Sequence, residues 1–233
     1  MSFSLIIPLF NEEKNIQFLL NEFLDIKSLL NEDFEIILID DFSTDNTLEV
    51  INLIKTHNSE NIKIIKNKKN LGQSRSLLNG VKNSNYDTIV TIDGDGQNNP
   101  SDIPQLIKIY RSMPDVYLVG GLRLKRKDNL IKRISSKIAN KVRTFILKDD
   151  CIDTGCSLKV FDKHTFNTLP FFDGIHRFLP ALYKGFGKKT FFVPVDHRPR
   201  LYGKSNYGTV KRFYRGIIDI IRVIFILKNK KND

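Results

Sequence analysis

Short apolar runs alternate along the N-terminal half with longer stretches whose apolar residues recur at helical spacing. Ser4–Leu9, Glu35–Asp40, Ile62–Ile65 and Thr88–Asp93 have the length and the β-branched content of strands, and each is followed by a helix candidate. This rhythm predicts an α/β fold: a mostly parallel, Rossmann-like sheet with helices on both faces. Later in the chain, Ser157–Phe161 and Thr190–Val195 read as strands and Ile175–Lys184 as a helix.

Beyond Gly120 the pattern changes. Arg123 to Lys148 is strongly basic, with Leu130, Ile131, Ile134, Ile138, Val142, Phe145 and Ile146 at helical intervals, which predicts a basic amphipathic helix from about Leu130 to Leu147. Such a helix either lies in a lipid interface or packs on the sheet with its basic face in water. A second segment, Gly216–Leu227, is apolar on most sides and flanked by Lys211, Arg212, Arg215, Lys228, Lys230 and Lys231. From Phe213 to Leu227 it is too short to span a bilayer, yet more apolar than a surface helix requires. It suggests a membrane-docking surface or a homo-oligomer interface. No uncharged apolar run reaches the roughly 18 residues of a membrane span, so membrane contact is expected to be peripheral. The run Phe3–Phe10 lacks a basic leader and is broken by Pro8 and Asn11, and reads as a buried strand rather than a signal peptide. The expected division is a catalytic domain over 1–207 and a C-terminal helix over 208–233.

Composition narrows the partners. The 233 residues are 41% hydrophobic, enough for a sizeable core, and the net charge of +11 attracts anions: nucleic acid, nucleotide phosphates or an acidic leaflet. No nucleic-acid-binding motif is present, and the acidic clusters described below would repel a polyanion, so nucleic acid is not an expected partner. Cys151 and Cys156 have neither disulfide-framework nor zinc-site spacing, which fits a reduced, cytoplasmic setting. His57, His164, His176 and His197 have no metal-ligand spacing either.

The chemistry is expected at the carboxyl ends of the strands, where open parallel sheets bind ligands. Three polar clusters fall there: Asn11-Glu12-Glu13, Asp40 to Asp45, and Asp93-Gly94-Asp95-Gly96-Gln97. Asp93 and Asp95 make a hard oxygen site for Mg²⁺ or Mn²⁺ bridging a diphosphate, or else a turn whose carboxylates cap the next helix. Gly94 and Gly96 would let the backbone approach the ligand. Asp40 or Asp41 could accept from a base N–H or ribose hydroxyls, while Ser43 or Thr44 with Asp45 reads as an N-cap. Arg123, Arg133 and Arg200 are candidate phosphate clamps, with a solvated basic face as the alternative. Asp153 is a turn carboxylate before Gly155, or a general base if a substrate hydroxyl must lose its proton.

The motifs Ile6 to Glu13, Ile39 to Thr47, Asn70-Leu71-Gly72 and Asp93 to Gln97, in that order, resemble those of family two glycosyltransferases. Within that family the chain is most similar to the polyprenyl-phosphate glycosyltransferases, of which dolichol-phosphate mannose synthase is the best-known kind. The resemblance covers roughly Ser4 to Tyr207. It implies a GT-A fold, a UDP- or GDP-linked sugar donor, a divalent metal and inversion at the anomeric carbon. By position, Pro8, Phe10, Glu12 and Asp41, with Asp40 beside it, would contact the nucleoside, and Asp93, Asp95 and Gln97 would hold metal and diphosphate. Asp153-Thr154-Gly155-Cys156 and Arg200 to Tyr207 match two later motifs, with two departures: Thr154 stands for the usual Ser, and Asn206 for the usual Lys, which Lys204 could replace. The implied acceptor is a polyprenyl phosphate at the cytoplasmic membrane face. The nearest alternative is a hydroxyl of a lipid-linked saccharide or cell-surface polysaccharide precursor. Stable attachment to the membrane would call for a membrane partner.

Overall fold

The computed structural model describes residues 2–30, 33–57, 61–123, 143–200, 202 and 209–230. Its seven strands are β1 (Phe3–Leu9), β2 (Phe34–Asp40), β3 (Ile62–Lys66), β4 (Thr88–Thr91), β5 (Val116–Leu122), β6 (Lys159–Asp162) and β7 (Lys189–Pro194). They form one sheet in the order β3-β2-β1-β4-β6-β5-β7. β6 opposes both of its neighbours, and every other pairing is parallel.

Period-two alternation sends strand residues to two separate cores. Phe3, Leu5, Ile7 and Leu9 of β1 and Phe34, Ile36 and Leu38 of β2 face one side. There they meet α1 (Glu13–Leu30), α2 (Thr47–His57) and α4 (Ile103–Ser112). Ile6, Ile37, Ile39 and Ile89 face the other side, against α3 (Gln73–Lys82), α6 (Lys163–Thr168), α7 (Ile175–Gly185) and α8 (Thr209–Lys230). A helical turn at 143–147 (α5) precedes β6. The double-wound architecture expected from the sequence is therefore present.

β5 was not anticipated. Its Gly120 and Gly121 dilute the strand pattern, and both sit where a side chain would be crowded. A Cβ at Gly120 would lie 3.0 Å from the Phe192 ring, and one at Gly121 would lie 2.8 Å from Val195 and 2.9 Å from the Cys156 sulfur. Of the predicted basic helix, only 143–147 falls within the described residues; Arg133 and Lys204 lie outside them, as does most of the stretch from 201 to 207.

This topology gathers the site. β1, β2, β4, β5 and β7 all point their carboxyl ends to one edge, and β6, running the other way, brings its amino end there. The order reverses between β1 and β4, the point where open α/β sheets take their ligands.

Candidate active site

The β1–α1 and β2–α2 loops are stitched together. The Asn11 amide donates to Ser43 Oγ (3.1 Å), the Thr44 amide donates to Asn11 Oδ1 (2.8 Å), and the Glu12 amide donates to Thr47 Oγ1 (2.8 Å). Asp45 accepts from the Thr47 amide (3.0 Å) and the Glu13 amide (3.3 Å), so one carboxylate serves the starts of two helices. The cap of α2 is thus Asp45. Ser43, an expected cap, instead holds the neighbouring loop. Asn11 and Phe42 adopt φ of 57° and 63°, left-handed values that turn both loops sharply.

Asp40 and Asp41 are both buried, and they differ in employment. Asp41 Oδ1 accepts from Asn67 Nδ2 (2.7 Å) and the Leu71 amide (2.8 Å), and Oδ2 accepts from the Gly72 amide (2.7 Å). The carboxylate shapes the β3–α3 loop and sits at the positive end of α3. Asp40 Oδ1 accepts from the Ser43 amide (3.2 Å), and among the described residues its buried Oδ2 accepts from none. Pro8 pairs with Ile39 inside the sheet, and Phe10 stands half-buried just past the strand end.

The acidic pole is built from the β1 and β4 ends. Asp93 Oδ1 accepts from Gln73 Nε2 (2.6 Å), and its amide donates to Ser157 Oγ (3.0 Å). Asp95 Oδ1 accepts from the Gln97 amide (3.1 Å). Arg200 Nη2 bridges Asp95 Oδ2 (3.1 Å) and Glu12 Oε1 (2.9 Å), while Asn15 donates to the other Glu12 oxygen (2.7 Å). Burial raises the Glu12 pKa to about 7; Asn15 and Arg200 oppose the rise, and Asp95 and Asp93 add to it. Burial and then Asp95 raise Asp93 to about 6, against Lys159, Ser157 and Arg123. Gly94 has a packing reason different from the one expected: a Cβ there would lie 2.3 Å from Leu9 Cδ2. Gly96, at φ 71° with open space beside it, keeps the expected freedom.

Among the described residues no cluster of three or more His, Cys, Asp or Glu could by itself hold a metal ion. Two carboxylates completed by phosphate oxygens or water are enough for Mg²⁺, which keeps few protein ligands. A guanidinium already lies on Asp95 and Glu12, and this pole fits a cation.

An arginine–aspartate pair lies near it, close enough for Arg123 to oppose the rise in the Asp93 pKa. Arg123, just past β5, donates from Nε to Asp153 Oδ2 (2.7 Å) and from Nη2 to Asp153 Oδ1 (2.9 Å), with His197 Nε2 at 3.4 Å from Nη1. Burial opposes the guanidinium charge, but the hydrogen bonds and charge of Asp153 outweigh it and hold Arg123 ionised. Gly155 leaves room for the pair, since a Cβ there would sit 2.7 Å from Arg123 Nη2. Asp153, the candidate base, thus has both oxygens occupied by a cation.

The edge therefore brings together Glu12, Asp93, Asp95, Gln97, Asp153, Arg123 and Arg200. Sequence reasoning missed Gln73, Ser157 and Lys159. Lys159 is buried in β6 with its ammonium on the Cys156 carbonyl, and a lysine inside an otherwise apolar strand was the available signal. Ser157 and Gln73 carry no local signal, because their partners lie 64 and 20 residues away.

Residues 4–169 match Glycosyl transferase family 2. The chain is 33% identical over 208 residues to an undecaprenyl-phosphate 4-deoxy-4-formamido-L-arabinose transferase of Photorhabdus laumondii, across 89% of this chain and 63% of that protein. It is 32% identical over 235 residues to a dodecaprenyl-phosphate galacturonate synthase of Rhizobium johnstonii, across 99% of this chain and 68% of that protein. The chain spans about two thirds of each relative's length. Among solved structures, glucosyl-3-phosphoglycerate synthase of Mycobacterium tuberculosis with Mn²⁺, UDP and phosphoglyceric acid superposes with a TM-score of 0.70 at 17% identity, over 97% of this chain and 78% of that one. A mannosyltransferase of Pyrobaculum calidifontis with GDP-Man and Mn²⁺ gives 0.68 at 18%, over 94% and 64%. The neighbours share the GT-A fold, and by the match over residues 4–169 and the identity to these relatives the chain belongs to glycosyl transferase family 2.

Proposed function

We propose that this protein transfers a sugar, with inversion, from a UDP- or GDP-linked donor to a polyprenyl phosphate at the cytoplasmic face of a membrane. The observation that carries the choice of acceptor is the pair Arg123–Asp153. A hydroxyl acceptor needs a base, and here the candidate base is held by a guanidinium through both oxygens. A phosphate acceptor is already an anion and needs positioning and charge balance, which Arg123 supplies. Two relatives named for undecaprenyl and dodecaprenyl phosphate support the same reading.

In this reading a phosphate oxygen attacks the anomeric carbon as the bond to the nucleoside diphosphate breaks, so charge builds on the leaving diphosphate. Asp95, with Asp93 and Gln97, would hold the Mg²⁺ or Mn²⁺, which when bound supplies positive charge to that group. Arg200, beside Asp95, adds a second cation to the same pole. Pro8, Phe10, Glu12 and the Asp40–Asp41 pair line the nucleoside end.

The membrane reading rests on α8, taken as a C-terminal unit over 208–233 apart from the catalytic 1–207. Val223 is buried against the domain, while Ile217, Ile218, Ile221 and Phe225 are 42%, 50%, 48% and 61% exposed and fall within about two and a half turns of helix. Arg215, Arg222, Lys228 and Lys230 flank them. Among the described residues no helix is long and apolar enough to cross a membrane. An apolar stripe with basic neighbours suits an anionic lipid interface.

The test is acceptor choice. With Mn²⁺ and a panel of UDP- and GDP-sugars, undecaprenyl phosphate should accept sugar and undecaprenol should not, and Asp95→Ala should abolish transfer. Transfer to the free alcohol, or only to a saccharide hydroxyl, would contradict the assignment.

A further inference from the structure

The segment 196–200, with Tyr202 beyond it, follows β7 and lies along one face of α1. Arg198 is its anchor. Its Nη1 and Nη2 donate to Glu22 Oε1 (2.6 Å) and Oε2 (2.7 Å), and its guanidinium stands 5.7 Å from the Phe18 ring centroid. Farther along, Asn15 Nδ2 donates to the Tyr202 carbonyl (3.3 Å). Asn15, Phe18 and Glu22 are spaced three and four residues apart, and so form one stripe of the helix.

On its other side the segment is fixed to the loop after β4. The Arg198 amide donates to the Gln97 carbonyl (2.8 Å), Gln97 Nε2 donates to the Arg198 carbonyl (3.4 Å), and Arg198 Nη2 donates to the Asn98 carbonyl (3.3 Å). Two residues on, Arg200 reaches Glu12 and Asp95. Two residues of chain span at most about 7 Å. Glu22 holds the Arg198 guanidinium and Gln97 holds its backbone, and together they limit where Arg200 can reach.

We propose that Glu22, with Phe18 beside it, is a positioning residue that sets Arg200 on the Asp95–Glu12 pole by fixing Arg198. Glu22 touches no reacting atom. It contributes through a bidentate, partly buried pair, a geometry whose worth exceeds that of a single exposed contact. The proposal rests on the reading above that Arg200 serves the metal and phosphate pole. A consequence follows for the protein without nucleotide: Arg200 and a metal ion compete for Asp95, and loosening the anchor relieves that competition.

The test has two arms, neither needing a known donor or acceptor. The chain contains no tryptophan, so Tyr202→Trp places one fluorescent reporter on the segment. Adding Glu22→Gln should lower the reporter's anisotropy, and the charge exchange Glu22→Arg with Arg198→Glu should restore it. An anisotropy unchanged by Glu22→Gln would overturn the proposal. In the second arm, Mn²⁺ binding without nucleotide is followed by electron paramagnetic resonance in the Tyr202 parent. Glu22→Gln should tighten it by up to about fivefold and should add nothing in an Arg200→Ala background. An equal effect in both backgrounds would also overturn it. Should no variant bind Mn²⁺, the metal reading of the site fails, while the anisotropy still decides the anchor.

Discussion

Replacing Asp153 by Asn separates a positioning carboxylate from a catalytic base. The Arg123–Asp153 pair is nearly enclosed, with side-chain exposures of 11% and 8%, and is made through two hydrogen bonds. Removing one member of such a pair leaves the other charge buried, at a cost of about 3–5 kcal/mol. The low end applies, because Asp93 also interacts with Arg123 and the amide oxygen of Asn still accepts one bond. At about 2–4 °C per kcal/mol for a chain of this size, melting should fall by roughly 6–12 °C. Turnover should fall by about 10–100-fold, the range for losing the partner that orients a binding group, with a raised KM for polyprenyl phosphate. Loss of a general base would instead cost about 10²–10⁴-fold, all in kcat, and would erase the acid limb of the pH–rate profile. Steady-state kinetics of Asp153→Asn from acid to neutral pH distinguishes the two. A kcat loss above a thousandfold with an unchanged acceptor KM and a flattened acid limb would refute the positioning role.

Other predictions follow from the same geometry. Glu12 and Asp93 have folded pKa values of about 7 and 6, above their ordinary carboxylate values. The folded protein thus holds protons that the unfolded chain has released. Their contribution to stability is intact below about pH 4 and is lost as pH rises through 6 and 7; denaturant melts of metal-free protein should show that decline, and Mn²⁺ should flatten it. Gly94→Ala puts a methyl 2.3 Å from Leu9 Cδ2 and should destabilise by about 1–3 kcal/mol, measured by urea unfolding. Ile221→Glu with Phe225→Glu should weaken sedimentation with anionic vesicles while leaving the melting temperature within about 2 °C, because both side chains are exposed.

Much of the architecture could be read from the chain because it rests on local pattern. β1 to β4, β6 and β7 coincide with apolar runs to within about two residues at each end. β5 escaped because its two glycines answer to Phe192, Val195 and Cys156, residues remote in sequence. α6 escaped because six mostly polar residues, Lys163–Thr168, carry little periodicity. The site followed the same division. Glu12, Asp93, Asp95 and Gln97 could be picked out because they immediately follow apolar strands, whose ends the topology brings to one edge. What could not be read was which of them pair. Arg200 with Glu12 spans 188 residues and Arg198 with Glu22 spans 176. Ser43 could not be told from Asp45 as the cap of α2, since the choice depends on Asn11 in another loop.

The central claim is that the sugar is joined to a phosphate oxygen. The most direct measurement is mass spectrometry with ³¹P nuclear magnetic resonance of the lipid product, formed from undecaprenyl phosphate, Mn²⁺ and the productive nucleotide-sugar. A single glycosyl phosphodiester of inverted anomeric configuration, with one nucleoside diphosphate released per product, is the predicted result. An unaltered lipid phosphate would contradict it.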